Sequence, residues 1–253
     1  MAPDLRRIEE AARLIASARA GWALTGAGVS TASGIPDFRS PGGLWELADP
    51  DEVSSVNGFR RNPAAFYSFW VWRFQHMESA PPNEVHTLLA RLETQRRLRG
   101  VITQNIDGLH QRAGSRVVFE VHGHVRSGIC LLCRSAYPMT EIIHQAETLG
   151  LAHCPCGGLI KPDVVLFGED LRPDFARAWA ASTEADLLVV LGTSLTVWPV
   201  AGLVPHLSAL GATLIIANRE PTPYDDRADV LLRGDLVATA RLLGEALEVN
   251  VDA

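Results

Sequence analysis

Six stretches of this chain are apolar almost throughout and break off abruptly into small or polar residues. Gly21-Trp22-Ala23-Leu24 gives way to Thr25-Gly26, Gly100-Val101-Ile102-Thr103 to Gln104-Asn105, and Val117-Val118-Phe119-Glu120-Val121 to His122-Gly123. Leu187 to Leu191 runs into Gly192-Thr193-Ser194, Leu214 to Ala217 into Asn218-Arg219-Glu220, and Val230 to Leu232 towards Gly234-Asp235. Runs with so little polar alternation suit strands covered on both faces, as in a parallel sheet between helices. Helical spacing fills the intervals. Leu5, Ile8, Ala12 and Ile15 follow a capping Asp4, and Val85, Leu88, Leu89 and Leu92 follow Asn83. A third helix is expected from Pro173 to about Ser182, and a last one from Asp235 with Leu236, Ala240, Leu243 and Leu247 inward. The expected class is α/β. In an open parallel sheet, ligands bind outside the carboxyl ends of the strands, so the six tails would converge on one site.

The first tail, Leu24-Thr25-Gly26-Ala27-Gly28-Val29-Ser30-Thr31, turns at two glycines, with Ser30 and Thr31 as helix N-cap candidates. Glycine lets a phosphate approach backbone N–H groups with no Cβ in the way, at the positive end of the next helix. Thr31 stands where the third glycine of a dinucleotide fingerprint would be, so the motif is half complete. Asp37-Phe38-Arg39, just past Pro36, sets a charge pair and an aromatic beside this turn.

Two segments interrupt the alternation. After Pro41-Gly42-Gly43, residues 45–74 hold Trp45, Phe59, Phe66, Tyr67, Phe69, Trp70, Trp72 and Phe74, which reads as a helical module with its own core. Residues 124–160 hold all four cysteines, as Cys130-Leu131-Leu132-Cys133 and Cys154-Pro155-Cys156. Two such knuckles supply four thiolates to one tetrahedral zinc, which with no open position would be structural. His153 is a bystander. Lys161 to Glu169 then runs extended, either as a plain linking strand or as an edge to which a peptide adds as an extra strand.

Bulk properties narrow the function. A chain of 253 residues, 47% hydrophobic and 21% charged, buries a sizeable core. Its net charge of −6 argues against a nucleic-acid binder that works by neutralising phosphates. No apolar run reaches the ~18 residues of a spanning helix and residues 1–20 lack a signal-peptide core, so a cytoplasmic location is expected. The only lysine is Lys161.

Taken in order, Gly26-Ala27-Gly28-Val29-Ser30, Gly34-Ile35-Pro36-Asp37-Phe38-Arg39, Thr103-Gln104-Asn105-Ile106-Asp107, His122-Gly123, the four cysteines, Phe167-Gly168-Glu169 and Gly192-Thr193-Ser194-Leu195 resemble the sirtuins, of bacterial type, over nearly the full chain. The resemblance implies a Rossmann-like parallel-sheet domain (1–39, 81–123 and 160–253) with an inserted small domain made of a helical module (40–80) and a zinc-binding module (124–159). It implies an NAD-dependent protein lysine deacylase that acts on acyl-lysine proteins or peptides, with NAD as co-substrate and one structural zinc on Cys130, Cys133, Cys154 and Cys156. By similarity, Gly26, Ala27, Gly28 and Ser30 would hold the pyrophosphate, and Asp37, Phe38 and Arg39 would lie by the nicotinamide ribose. Gln104 and Asn105 would bind that ribose, and Ile106 and Asp107 the carboxamide. Gly192, Thr193, Ser194, Asn218, Arg219, Glu220, Asp235 and Leu236 would hold the adenosine half. Val165 and Gly168 would pair with substrate backbone, with Phe167 flanking the acyl-lysine.

These residue types suit the chemistry. Loss of nicotinamide leaves an electron-poor ribose carbon, which an amide oxygen captures only if positioned and kept from water. Asn105 and Asp107 would orient the leaving group. His122, with an ordinary pKa near 6.5, would take a proton from a ribose hydroxyl. Some sirtuins that remove acidic acyl groups carry Tyr-x-x-Arg in the aromatic helix, where Trp70-Val71-Trp72-Arg73 stands here. Arg73 would pair with a succinyl carboxylate, so desuccinylation or long-chain deacylation stands as an alternative to deacetylation, as does ADP-ribosyl transfer from the same NAD site. A hydride-transferring dehydrogenase would have no use for the cysteines or for Asn105-x-Asp107.

Overall fold

The computed structural model describes residues 4–249. Its centre is a six-stranded sheet of β1 (Gly21–Thr25), β2 (Leu98–Thr103), β3 (Val118–Glu120), β7 (Leu187–Leu191), β8 (Thr213–Ala217) and β9 (Val230–Leu232), in the order β3-β2-β1-β7-β8-β9. Every neighbouring pair is parallel. The expected runs are these strands, and their alternate residues serve opposite faces. Ala23, Val101, Val189 and Ile215 join α1 (Leu5–Ser17), α5 (Glu84–Thr94) and α10 (Leu236–Val249) in one core. Trp22, Leu24, Ile102, Leu188, Val190 and Ile216 pack on the other side against α8 (Pro173–Ser182) and α9 (Leu203–Ala209). Each fully buried Ile or Leu contributes about 1.5–3 kcal/mol. With no solvent face to satisfy, these strands need no polar alternation.

The helix caps follow the sequence. Asp4 accepts from the Arg6 N–H at 3.0 Å. Asn83 accepts from the Val85 N–H at 3.0 Å while its own N–H donates to Nδ1 of His86 at 3.2 Å, closing a reciprocal cap. Of the helically spaced apolar residues of α1, Ile8, Ala12 and Ile15 are buried, whereas Leu5 in the first turn is 60% exposed. No α-helix follows β1, contrary to the expected N-cap role of Ser30 and Thr31. The chain instead makes two single 3₁₀ turns, Ala27–Val29 and Thr31–Ser33. The glycine turn therefore lacks a long helix dipole behind it.

The two inserts share one core. The first supplies α2 (Pro50–Val53), α3 (Val56–Arg61) and α4 (Pro63–Ser79). The second supplies β4 (Gly123–Cys130), β5 (Ala136–Pro138) and α7 (Met139–Leu149). Phe59, Phe66, Tyr67, Trp70 and Phe74 pack with Ile142, Ile143 and Ile160, and the Tyr67 hydroxyl donates to the Ile160 carbonyl. Phe59 and Phe66 meet edge to face, centroids 5.0 Å apart. The strand β6 (Ile160–Val164) pairs antiparallel with β4 in a three-stranded sheet ordered β5-β4-β6. The chain thus stays with the small unit as far as Val164 and does not leave it at residue 159, because ladder hydrogen bonds to β4 continue there. Trp72 of α4 points away from this core and is 51% exposed.

Candidate active site

The carboxyl ends of the large sheet open onto one cavity of about 1180 Å³. Close backbone packing shapes its floor. Gly26 N–H donates to the Leu191 carbonyl at 3.1 Å, and Gly28 N–H to the Gly192 carbonyl at 2.9 Å. A Cβ on Gly28 would lie 2.9 Å from Gly192 Cα, and one on Gly192, at φ +61°, 2.6 Å from the Val29 nitrogen. The glycines of the first and fourth tails are thus required by each other as well as by any ligand.

Gln104, Asn105 and Asp107 follow β2 and cross this turn. The Asn105 amide donates to the Gly26 carbonyl and to Ser30 Oγ, both at 3.1 Å. Ser30 Oγ in turn donates to Asp107 at 2.7 Å, and the other Asp107 oxygen accepts from the Leu109 N–H at 2.9 Å. Burial pushes the Asp107 carboxyl above its ordinary range, a shift that these two donors oppose. Gln104 donates to Thr193 Oγ1 at 2.9 Å, which ties the β2 tail to the β7 tail.

His122 stands between β3 and β4, its Nδ1 3.2 Å from the Gln104 carbonyl. A carbonyl only accepts, so the proton sits on Nδ1 and leaves Nε2 as a lone pair. Burial lowers the His122 pKa below 6.5, and the Gln104 carbonyl partly restores it. Gly123 follows at φ +84°, where a Cβ would lie 2.1 Å from the Asp163 carbonyl oxygen. His122 also holds the outer wall, because its carbonyl accepts from the Val165 N–H at 2.8 Å.

That wall is the segment from Val164 to Glu169. Phe167 spends both backbone groups on the helical insert, donating to the Ser54 carbonyl at 2.9 Å and accepting from the Val56 N–H at 3.0 Å. Lys161 Nζ donates to the Val164 carbonyl at 2.6 Å and pairs with Glu169 at 3.0 Å, while Glu169 accepts from the Leu166 N–H at 2.9 Å. The Val165 carbonyl and the Gly168 N–H have no hydrogen-bond partner among the described residues.

Gly26, Ala27, Gly28, Ser30, Asp37, Phe38, Arg39, Gln104, Asn105, Ile106 and Asp107 all line the cavity. So do His122, Val165, Phe167, Gly168, Gly192, Thr193, Ser194, Asn218, Arg219, Glu220, Asp235, Leu236 and Trp70. Some are already committed to structure. Asp37 accepts from the N–H groups of Arg39 and Ser40 at 3.1 and 2.8 Å, which makes it a turn residue. Asp235 accepts from the Ala238 N–H at 2.9 Å at the start of α10. The Arg39 guanidinium has no partner among the described residues. Phe38 packs on Trp45 at 4.9 Å, and the Trp70 indole N–H donates to the Val53 carbonyl at 2.7 Å.

Arg73 does not line the cavity, contrary to its expected role at an acyl carboxylate. Its guanidinium turns back to the Phe69 carbonyl and lies over the Phe69 and Trp72 rings, 3.6 and 4.3 Å from their centroids. Packing along α4 wins over projection into the cleft. Sequence reading also missed part of the mouth, where Phe175, Val197 and Trp198 sit, the last 66% exposed. A tryptophan set just past the Gly192-Thr193-Ser194 tail was the available signal.

The four cysteine sulfurs lie within 4.8 Å of one another. The Cys130–Cys156 and Cys133–Cys154 sulfurs are 3.5 Å apart, close to the ~3.8 Å edge of a tetrahedron with Zn–S bonds of ~2.3 Å. Backbone N–H groups of Leu132 and Cys133 point at Cys130 Sγ, at 3.4 and 3.5 Å, as suits a thiolate. The donor set fits zinc.

The sequence model of the Sir2 family matches residues 26–199. An NAD-dependent protein deacetylase of Sulfolobus acidocaldarius is 44% identical over 230 residues, 89% of this chain and 90% of that protein. An NAD-dependent protein deacylase of Aeropyrum pernix is 42% identical over 98% of this chain and 100% of its own length. A solved Sir2 structure with a deacetylated p53 peptide and 3'-O-acetyl ADP ribose has a TM-score of 0.91 at 40% identity, covering 94% of this chain and 97% of that one. With the glycine turn, the Asn105 and Asp107 loop, His122 and the cysteine cluster assembled in this way, the chain belongs to the Sir2 family.

Proposed function

We propose that the chain is an NAD-dependent protein lysine deacylase that moves the acyl group of an acyl-lysine to ADP-ribose and releases nicotinamide. The observation that carries this reading is the placement of His122: one nitrogen is held by the Gln104 carbonyl, and the other is free in the cavity that Asn105 and Asp107 also line. The names of the relatives support the same reading.

NAD would supply a ribose carbon that turns electrophilic as nicotinamide leaves. Gly26 to Ser30 would receive the pyrophosphate, and Thr193, Ser194 and Asn218 the adenosine half. Gln104 and Asn105 would bind the nicotinamide ribose, and Ile106 and Asp107 the carboxamide, with the Asp107 carboxyl and Ser30 hydroxyl already linked. The open Val165 carbonyl and Gly168 N–H are the two groups a peptide strand needs on this wall. Phe38, Trp45 and Phe167 would screen the reacting carbon from water. His122 Nε2 would accept the ribose hydroxyl proton, and burial favours the neutral imidazole this requires.

The preferred acyl group is neutral. Leu44, Trp70, Phe74 and Met77 make an apolar recess of the cavity, and the guanidinium that would receive a succinyl carboxylate is outside it. A cytoplasmic setting suits four cysteines that form no disulfide and fit one zinc. The test is mass spectrometry of NAD incubated with acetyl-, succinyl- and long-chain acyl-lysine peptides. O-acyl-ADP-ribose with equimolar nicotinamide is expected from neutral acyl chains. Nicotinamide release with ADP-ribose on protein and no acyl transfer would replace this reading with ADP-ribosyl transfer.

A further inference from the structure

Beneath the cleft floor lie two histidines for which the reaction above has no use. His86, on α5, is 0% exposed and His110, on α6 (Leu109–Arg112), is 1% exposed, with ring centroids 4.8 Å apart. Their bonded neighbours settle where each proton sits. The Asn83 N–H can only donate, so Nδ1 of His86 accepts and its proton is on Nε2. Thr25 Oγ1 donates to Thr103 Oγ1 at 2.8 Å and, its proton spent, accepts from His110 Nε2 at 2.9 Å. The proton of His110 is therefore on Nε2, and Nδ1 is a bare lone pair.

The two remaining atoms, His86 Nε2 and His110 Nδ1, are both buried without a partner. With these tautomers one is a donor and the other an acceptor on adjacent rings. The opposite tautomer of His110 would bury two donors side by side. The hydrogen bonds that are made run from Asn83 to His86 and, across the ring contact, from His110 through Thr25 to Thr103. Thr103 Oγ1 also accepts from the Asn105 N–H at 3.0 Å. Burial lowers the His86 pKa to about 4 and the His110 pKa to about 3, so both rings are neutral near pH 7.

We propose that His110 is a positioning residue for the reaction: through Thr25 and Thr103 it fixes the backbone of Asn105, and so holds the Asn105 amide against Gly26 and Ser30. The proposal rests on the NAD role of Asn105 given above. It assigns a catalytic consequence to a group that touches neither NAD nor peptide.

Two measurements test it. In the wild-type protein, 15N shifts of the imidazole rings should place both His86 and His110 in the neutral Nε2–H form; a proton on Nδ1 of His110 would overturn the proposal. In the variants, His110→Phe keeps the ring volume without the donor, whereas His110→Gln retains an amide donor near the Nε2 position. With acetyl-peptide and NAD, His110→Phe should lose about tenfold or more in kcat at unchanged peptide KM, and His110→Gln should recover to within about threefold of wild type. Wild-type kcat in His110→Phe, or equal losses in both variants, would reduce His110 to packing. Should His110→Phe fail to fold, Thr103→Val, isosteric but without the acceptor, carries the same expectation. The ring spectrum reads the hydrogen-bond direction whether or not the chain turns over NAD, so its failure and that of the deacylase reading are separable.

Discussion

His122 donates from Nδ1 to the carbonyl of Gln104, 3.2 Å away, so the loop that carries Asn105 also chooses the tautomer of the proposed base. His122→Ala should leave zinc content and the thermal midpoint near wild type and lower kcat for acyl transfer by at least about a hundredfold, within the range for a positioned general base. Because burial lowers the pKa of this ring, the acid limb of kcat/KM should have its midpoint below 6.5. A limb centred above that value in stopped assays across pH would contradict the burial argument.

Stability should fall as the solution is acidified. An unfolded histidine takes up a proton near pH 6.5, while folded His86 and His110 resist protonation down to about 4 and about 3. Between 6.5 and about 4 the unfolded chain therefore binds more protons, and stability drops with roughly 1.4 kcal/mol per pH unit for each ring. Asp107, whose carboxyl is raised by burial, works in the opposite sense over its own range. Urea unfolding at half-unit steps of pH measures the slope, and His86→Phe should reduce it.

Arg73→Ala should leave the ratio of acetyl- to succinyl-peptide turnover unchanged within about twofold, since the side chain packs on Phe69 and Trp72. It should instead lower stability by about 0.5–2 kcal/mol through the lost cation–π contacts. A ratio that shifts tenfold would return Arg73 to the acyl site.

Metal analysis should find one zinc per chain. Chelation or Cys130→Ala should lower the thermal midpoint or unfold the protein, because Cys130 and Cys154 belong to the core that α4 shares with α7. Loss of zinc with no change in the midpoint would make the metal dispensable.

Gly123→Ala places a Cβ 2.1 Å from the Asp163 oxygen at a left-handed φ, so the backbone next to His122 must move. We expect a loss of at least about 1–3 kcal/mol together with reduced kcat, read by denaturant melts and steady-state assays.

Much of this was legible in the sequence because each signal had a local cause. Buried parallel strands have no polar alternation, and all six runs fell in the sheet. Paired thiols in a short segment have few other uses, and the four sulfurs meet. The site residues lay at strand ends, where an open parallel sheet gathers them. What stayed hidden depended on long-range packing. The helix expected after Gly28 gives way to 3₁₀ turns because the β7 tail presses on the backbone there. The inward turn of Arg73, the shared core of the two inserts and the hydrogen bonds from His110 through Thr25 to Thr103 join residues up to tens of positions apart, and no periodicity marks such meetings.

Lys161 is tied by its ammonium to Glu169 and to the Val164 carbonyl, and its side chain is only 11% exposed. A catalyst that strips acyl groups from lysines thus offers solvent almost no lysine of its own. Reactive acyl donors find little to label on it, and in a crowded mixture copies of the enzyme do not stand in line as targets for one another.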